Sequence, residues 1–257
     1  MEIFKKSFKS FFIIMAFFLA NLLIDSLSGG IVPRLMAIAI GGGAINYIIY
    51  GVFVGQIIKS IVLIFYVKNR KKNCSGEYIK NEKVKNPLIY IGIGLGTVGF
   101  GRLLVNATLK ILEGSSLVTD AFDIFEQAFS ANTPIDGLVI IFVVVIGAPI
   151  VEEYLFRGVL FEELAKICSS KATIFLTALV FGIYHFNIVQ TPNTFFMGLV
   201  MAYVYYKTRS IKAPIIIHAT NNILAMVPFL DLGLTPLGIG LYIALLIIGI
   251  RALRQIA

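Results

Sequence analysis

The chain consists of long apolar runs separated by short polar segments. A membrane-spanning helix needs about 20 mostly apolar residues, because each residue adds about 1.5 Å across a hydrocarbon core roughly 30 Å thick. Runs near or above that length cover residues 8–25, 36–67, 87–110, 136–160, 172–188, 193–207, 213–230 and 234–250. The pattern therefore predicts an all-α fold, a polytopic membrane helix bundle of about eight transmembrane helices.

The first two runs need separate interpretation. Basic residues precede 8–25 as they do in a signal peptide, but no clear cleavage site follows, so this run is predicted to be the first span. The run 36–67 is too long for one straight span and is predicted to be tilted, broken or re-entrant. Its interior glycines are Gly41, Gly42, Gly43, Gly51 and Gly55.

Composition supports the membrane interpretation. Of 257 residues, 58% are hydrophobic and 14% are charged, whereas a soluble domain has about 25% charged residues. A soluble or disordered chain is thus excluded, and the two cysteines exclude a disulfide framework. The longest polar stretches, 68–86 and 113–134, are short. We therefore expect one integral membrane domain over 1–257, with a motif-bearing catalytic core at about 136–230.

The basic residues orient the chain in the membrane. Cytoplasmic loops collect Lys and Arg, and 17 of the 22 basic residues fall in segments that eight spans place on one side. These are Lys5, Lys6, Lys9, Lys68, Arg70, Lys71, Lys72, Lys80, Lys83, Lys85, Lys166, Lys171, Lys207, Arg209, Lys212, Arg251 and Arg254. Both termini are predicted to be cytoplasmic. The net charge of +8 is explained by these loops, so no nucleic-acid partner is expected. The opposite loop 113–131 has no Lys or Arg, and the helical apolar spacing within 119–131 predicts a short interfacial helix.

Ionisable residues inside apolar runs are candidates for function, because a charge at membrane depth is costly. Lys59 and Arg102 stand alone in the sequence and are interpreted as structural. The run from Glu152 to Arg157 and the pair His185 and His218, which are the chain's two histidines, are interpreted as functional.

Helical spacing separates the two adjacent glutamates. Residues four apart share a helix face, so Glu153 is predicted to pair with Arg157. The position four residues after Glu152 is Phe156, which cannot pair with a carboxylate. Glu152 is thereby the better candidate for a general base.

The later runs repeat the four-residue spacing. Phe181 precedes His185 by four positions, and His218 precedes Asn222 by four. His218 and Asn222 therefore share one helix face and can bind one small polar group together. Interhelical hydrogen bonding is the simpler interpretation; it accounts for Asn222 alone but poorly for the whole set.

These motifs, in this order, resemble the CPBP family of CAAX proteases and bacteriocin-processing or immunity proteins. The family pattern is Glu-Glu-x-x-x-Arg, then Phe-x-x-x-His, then His-x-x-x-Asn, and it is matched over about 150–225. The resemblance implies an eight-helix intramembrane endopeptidase that acts on a membrane-associated peptide or protein. It also implies a multi-pass protein of the cell membrane whose partners are that substrate and the lipid bilayer, with the oligomeric state open.

The resemblance also assigns roles. It gives the reacting water to Glu152 and His185, with Glu152 as base, and it makes His218 and Asn222 donors to the oxyanion. Glu153, Arg157 and Phe181 would orient these groups. No cofactor is firmly predicted. A divalent metal such as zinc is the alternative, with Glu152, His185 and His218 as ligands, although the His-Glu-x-x-His motif is absent from the sequence.

Two functions from other classes compete with proteolysis. A non-catalytic bacteriocin-immunity or scaffold protein can share the fold, but it has no chemical need for Glu152. A transporter can use Glu and His as a proton relay, but it would usually show internal repeats, and none is visible in the sequence.

Overall fold

The computed structural model describes residues 2–73 and 86–256, and these form nine α-helices with no β-strand among them. The helices are α1 (Glu2–Ile40), α2 (Ile48–Asn73), α3 (Pro87–Ile111), α4 (Ser116–Phe129), α5 (Pro134–Leu164), α6 (Ser170–Tyr184), α7 (Thr191–Thr208), α8 (Lys212–Ala225) and α9 (Pro236–Leu253). The predicted all-α class is confirmed. Residues 74–85 of the predicted loop 68–86 lie outside the described residues.

Five of these helices are long and apolar enough to cross a membrane: α1, α2, α3, α5 and α9. The protein is therefore a multi-pass membrane protein. The shorter α6 is also apolar, and α7 and α8 coincide with predicted runs. The total of about eight spans stays a prediction.

The boundary between the first two predicted runs was wrong. Helix α1 continues past residue 25 and through Pro33 to Ile40. The chain then breaks at Gly41 and Gly42, whose φ values of 95° and 87° lie in the left-handed region that glycine tolerates. The predicted break in 36–67 is thus confirmed, but it lies near the start of that run, and α2 begins only at Ile48.

Helix α5 is one continuous element that contains two stretches of π-helix, at Val143–Gly147 and Tyr154–Phe161. We call the first stretch the wide turn. Pro149 accounts for it: proline has no N–H to donate, and in a regular α-helix its ring would clash with the carbonyl four residues earlier. The Ala148 N–H instead reaches back five residues to the Val143 carbonyl, which is the π-helical pattern.

The chain divides into two compact units that alternate along the sequence. Unit 1 comprises Met1–Ser75 and Phe122–Ile167, and unit 2 comprises Gly76–Ala121 and Cys168–Ala257. Unit 1 thus holds α1, α2 and α5, whereas unit 2 holds α3 and α6 to α9. The expectation of one integral membrane domain stays a prediction.

Within unit 1, the membrane-embedded Lys59 has a partner. Its Nζ lies 2.6 Å from Asp25 Oδ1 of α1, so the idea that Lys59 is isolated was wrong, while the structural interpretation fits this ion pair. The pair was missed because its members lie 34 positions apart and no local spacing connects them.

The end of α5 is tied to the rest of unit 1 by a buried carboxylate, that of Glu163, which has 0% exposure. It accepts hydrogen bonds from Ser10 Oγ at 2.7 Å and Lys166 Nζ at 2.6 Å, and it pairs with Arg70. These contacts fix α5 against α1 and α2 at one end.

Within unit 2, α3 packs closely on α9. A methyl group built on Gly96 would lie 2.6 Å from the Gly249 Cα, so only glycine allows this approach. Arg102, also expected to be isolated, pairs with Asp231 at 2.8 Å and donates to the Ala225 carbonyl at 3.3 Å. Arg102 therefore holds the segment that follows α8.

Candidate active site

The two adjacent glutamates lie on α5 between the wide turn and the second π-helical stretch. The predicted pair between Glu153 and Arg157 is confirmed: Arg157 Nη1 lies 2.9 Å from both Glu153 oxygens. Both side chains have 0% exposure. A buried ion pair of this kind needs both members, since either one alone would be an uncompensated charge in a low dielectric.

Glu152 differs from its neighbour in burial. Its side chain is half-buried, whereas Glu153 is fully enclosed. A carboxylate that acts on a water must be reachable by water, and of the two glutamates Glu152 meets that condition better. Glu153, with its bidentate contact to Arg157, is placed to fix this part of α5.

His185 lies at the C-terminal end of α6, immediately after Tyr184. Its Nδ1 lies 2.8 Å from the Phe181 carbonyl. Because a carbonyl oxygen only accepts, Nδ1 must carry the proton in this contact. Nε2 is then the ring atom of a neutral His185 that can accept a proton, and the hydrogen bond fixes both tautomer and ring orientation.

The residue after His185 has an unusual backbone. Phe186 has φ 46°, a left-handed conformation that is uncommon for a bulky residue. The following turn holds it in place, because Asn187 Oδ1 accepts from the N–H groups of Val189 and Gln190 at 3.0 and 3.1 Å. Strained residues of this kind cluster at functional sites, and no sequence pattern predicted this conformation.

Phe181 lies beside both histidines. Its ring is 5.0 Å from the His185 ring and 5.9 Å from the His218 ring, both in edge-to-face geometry. Phe181 has 0% exposure and His218 has 2%. The two histidines therefore share one aromatic neighbour within unit 2, which is consistent with the orienting role predicted for Phe181.

His218 and Asn222 both lie on α8, one helical turn apart as predicted. The rotation of α8 is set by its contact with α3: Thr97 Oγ1 lies 3.3 Å from Asn221 Oδ1 and 2.7 Å from the Gly94 carbonyl. Asn221 is buried and Asn222 is half-buried. Asn221 is thus the asparagine engaged with α3, and Asn222 is the more exposed of the two.

A zinc ion would need three protein ligands and one open position. Glu152, His185 and His218 are suitable by chemistry, but the glutamate belongs to unit 1 and the histidines to unit 2. Within the described residues of either unit, no group of three His, Cys, Asp or Glu side chains is arranged to hold a metal. Neither unit therefore provides a complete ligand set, and no catalytic step is assigned to a metal here.

Comparison with known proteins matches the same region. Residues 134–224 match the family model described as type II CAAX prenyl endopeptidase Rce1-like. Over these residues the chain is similar to that family of membrane proteases. The membrane-embedded CAAX protease MroQ of Staphylococcus aureus (strain USA300) is 36% identical over 155 residues, which cover 54% of this chain and 59% of that protein. The match thus spans less than two thirds of this relative's length. No solved structure matches the chain.

The family match contains all seven candidate residues. Three of them are gathered on α5 in unit 1, and four on α6 and α8 in unit 2. Sequence reasoning missed Thr97, Phe186 and Gln56, whose Nε2 donates to the Val143 carbonyl of α5 at 3.2 Å. Gln56 could have been noticed because it is a polar residue inside an apolar run. No sequence pattern predicts the unusual backbone of Phe186.

Proposed function

We propose that this protein is an intramembrane endopeptidase that hydrolyses a peptide bond of a membrane-associated peptide or protein. The observation that carries the proposal is the difference in burial on α5, where Glu153 is fully enclosed beside Arg157 and the adjacent Glu152 is half-buried, which makes it the glutamate that water can reach. The family match over 134–224 and the relative that is a membrane-embedded CAAX protease support the same class of reaction.

In the proposed reaction, Glu152 takes a proton from water, and the resulting hydroxide attacks the scissile carbonyl carbon. His185 assists through Nε2, which its Nδ1 contact to Phe181 leaves unprotonated in the neutral ring. A general base of this kind contributes about 10²–10⁴-fold in rate.

The carbonyl oxygen becomes an oxyanion in the tetrahedral intermediate. We assign its stabilisation to hydrogen bonds from His218 and the Asn222 amide, which share one face of α8. Removing one such donor typically costs about 10²–10³-fold. The proton held by Glu152 then passes to the leaving nitrogen, so the C–N bond breaks and a carboxylic acid and an amine are formed.

The substrate class follows from the membrane setting of these residues. We propose a peptide or a membrane-protein segment that reaches the site from the bilayer. The non-catalytic scaffold and the proton-relay transporter are the competing outcomes of the experiment below.

The test compares wild type with Glu152→Gln, which keeps the size and hydrogen bonding of the side chain but removes the base. We expect peptides that accumulate in wild-type membranes to disappear from the variant, and purified protein to cleave the identified substrate about 10²–10⁴-fold more slowly. Unchanged membrane peptides together with an intact biological output would favour the scaffold. Loss of ion or solute flux, with peptides unchanged, would favour the transporter.

A further inference from the structure

The wide turn of α5 precedes Glu152 by little more than one helical turn. Glu152 lies in the regular segment Ala148–Glu153 that directly follows the wide turn, and a helix of that length transmits rotation without bending. If the wide turn relaxed to a regular α-helical turn, the following residues would rotate by about 100°, the angle between successive residues. The direction in which Glu152 points therefore depends on the wide turn.

A side chain from α2 occupies the wide turn. Gln56 Nε2 donates to the Val143 carbonyl at 3.2 Å, the same carbonyl that receives the five-residue hydrogen bond from Ala148. Gln56 has only 7% exposure. Among the described residues the buried Oε1 has no hydrogen-bond partner, so the contact to Val143 is the one that satisfies this amide, and losing it would leave Nε2 unmet as well, which is costly at this depth.

Gly147 completes the contact from the other side. A methyl group built at this position would overlap the Gln56 amide, with the Cβ 2.7 Å from Cδ. The glycine thus admits the amide, and the amide fills the space that the glycine leaves. Pro149 disrupts the regular helix, and Gln56 with Gly147 determines which alternative geometry results.

We propose that Gln56 is a positioning residue for Glu152, which it orients by holding the wide turn open. This inference rests on the proposed role of Glu152 as general base. Gln56 is not a catalytic residue, because it contacts α5 at Val143 and Gly147 rather than the reacting atoms. A residue that only joined α2 to α5 would affect stability, whereas a positioning residue affects the rate of the chemical step.

The first test is Gln56→Leu, measured by single-turnover cleavage and by melting temperature of the purified full chain in detergent. We expect the rate at saturating substrate to fall about 10–100-fold, because misplacement of a catalytic group by about 1 Å can cost 10²-fold. KM should change little. The matched control is Lys59→Met, about one turn further along α2, which breaks the contact to Asp25 of α1. It should lower the melting temperature without lowering the rate.

The second test changes Gly147, the partner of Gln56 in this contact. It keeps the proposal testable if Gln56→Leu folds poorly. Gly147→Ala should displace the amide and lower the rate as Gln56→Leu does. In a Gln56→Ala background the space is open, so adding Gly147→Ala should cost little further. Independent, multiplying losses from these two changes would contradict the proposed contact.

The closing measurement combines Gln56→Leu with Glu152→Gln. If Gln56 acts through Glu152, the double variant should cleave no more slowly than Glu152→Gln alone. A wild-type rate in Gln56→Leu, beside a slow Glu152→Gln, would overturn this inference and leave the proposed function standing. A wild-type rate in Glu152→Gln would overturn the proposed function and this inference with it.

Discussion

The glutamate-bearing helix α5 and the histidine-bearing helices α6 and α8 are stabilised by different kinds of contact. On α5, charge is paired with charge: Glu153 with Arg157, and Glu163 with Arg70 and Lys166. Around the histidines, neutral groups supply contacts instead: His185 lies against a carbonyl, and both imidazole rings meet the Phe181 ring edge-to-face. Substitutions on α5 should therefore cost stability by orphaning charges, whereas substitutions around the histidines should cost mainly rate by loosening orientation.

The largest effect on stability is expected for Glu153→Gln. It leaves Arg157 with 0% exposure and without its counter-charge, and breaking a buried pair from one side costs about 3–5 kcal/mol. Melting temperature in detergent, measured beside Glu152→Gln, checks the comparison. Glu152→Gln should lower the melting temperature less, because the Glu152 side chain is only half-buried. Equal destabilisation by the two variants would mean that the roles of the glutamates are wrongly assigned.

The double variant Glu153→Gln with Arg157→Met sharpens the same comparison. It removes both charges, so stability should return toward wild type, because a buried pair replaced by matched neutral groups is often neutral in energy. Activity should not return fully, since the segment that carries Glu152 has lost its fixed contact. Full recovery of cleavage would show that the pair serves folding alone.

A smaller effect is expected around the histidines for Phe181→Leu. The change removes two edge-to-face contacts, each contributing about 0.5–1.5 kcal/mol beyond burial, and it releases both imidazole rings. Single-turnover cleavage should fall by more than the loss of stability explains. Phe175→Leu is the control, because the Phe175–Phe195 pair at 5.8 Å lies in the same unit without touching either histidine. If both variants cleave equally well, Phe181 does not orient the histidines.

Phe186→Gly should stabilise the protein slightly. A left-handed conformation costs an L-residue about 1–2 kcal/mol, and glycine relieves this cost while losing up to about 1 kcal/mol of chain entropy. The side chain has 84% exposure, so little packing is lost. We expect a small rise in melting temperature for Phe186→Gly and none for Phe186→Ala, which retains the strain. A drop in both would show that the phenyl ring contributes to packing.

The smallest effect is expected from zinc removal. A Glu–His pair is sufficient to activate water, and the His-Glu-x-x-His helix motif is missing. Dialysis of purified protein against a chelator should leave the cleavage rate unchanged, with bound metal measured before and after. Loss of activity that added zinc restores would establish the metal mechanism.

Local features of this molecule were predictable from sequence, and contacts between distant segments were not. The apolar runs predicted helices because a membrane leaves few alternatives for the backbone, and Glu153 with Arg157 was visible because four-residue spacing is a local rule. The end of α1 was misplaced because Pro33 is tolerated inside that helix and the break falls at Gly41 and Gly42 instead.

The supporting contacts depend on three-dimensional arrangement. Asp25 with Lys59 and Arg102 with Asp231 join positions 34 and 129 apart, and no periodicity links them. Gln56 could be noticed as a polar residue in an apolar run, but its role requires knowledge of the wide turn. The wide turn itself depends on how Pro149 is accommodated within α5.

The alternation of the two units along the chain has a consequence for biosynthesis. The ribosome delivers α1 and α2, then the first helix of unit 2, then α5, and only afterwards the rest of unit 2. Unit 1 therefore cannot close before residue 167 has been synthesised, and α3 must wait in the bilayer for α6 to α9. No single break in the backbone separates the two units. Any such break therefore leaves at least one unit divided between the two fragments. The extent to which two such fragments reassemble would measure how strongly the parts of the divided unit associate.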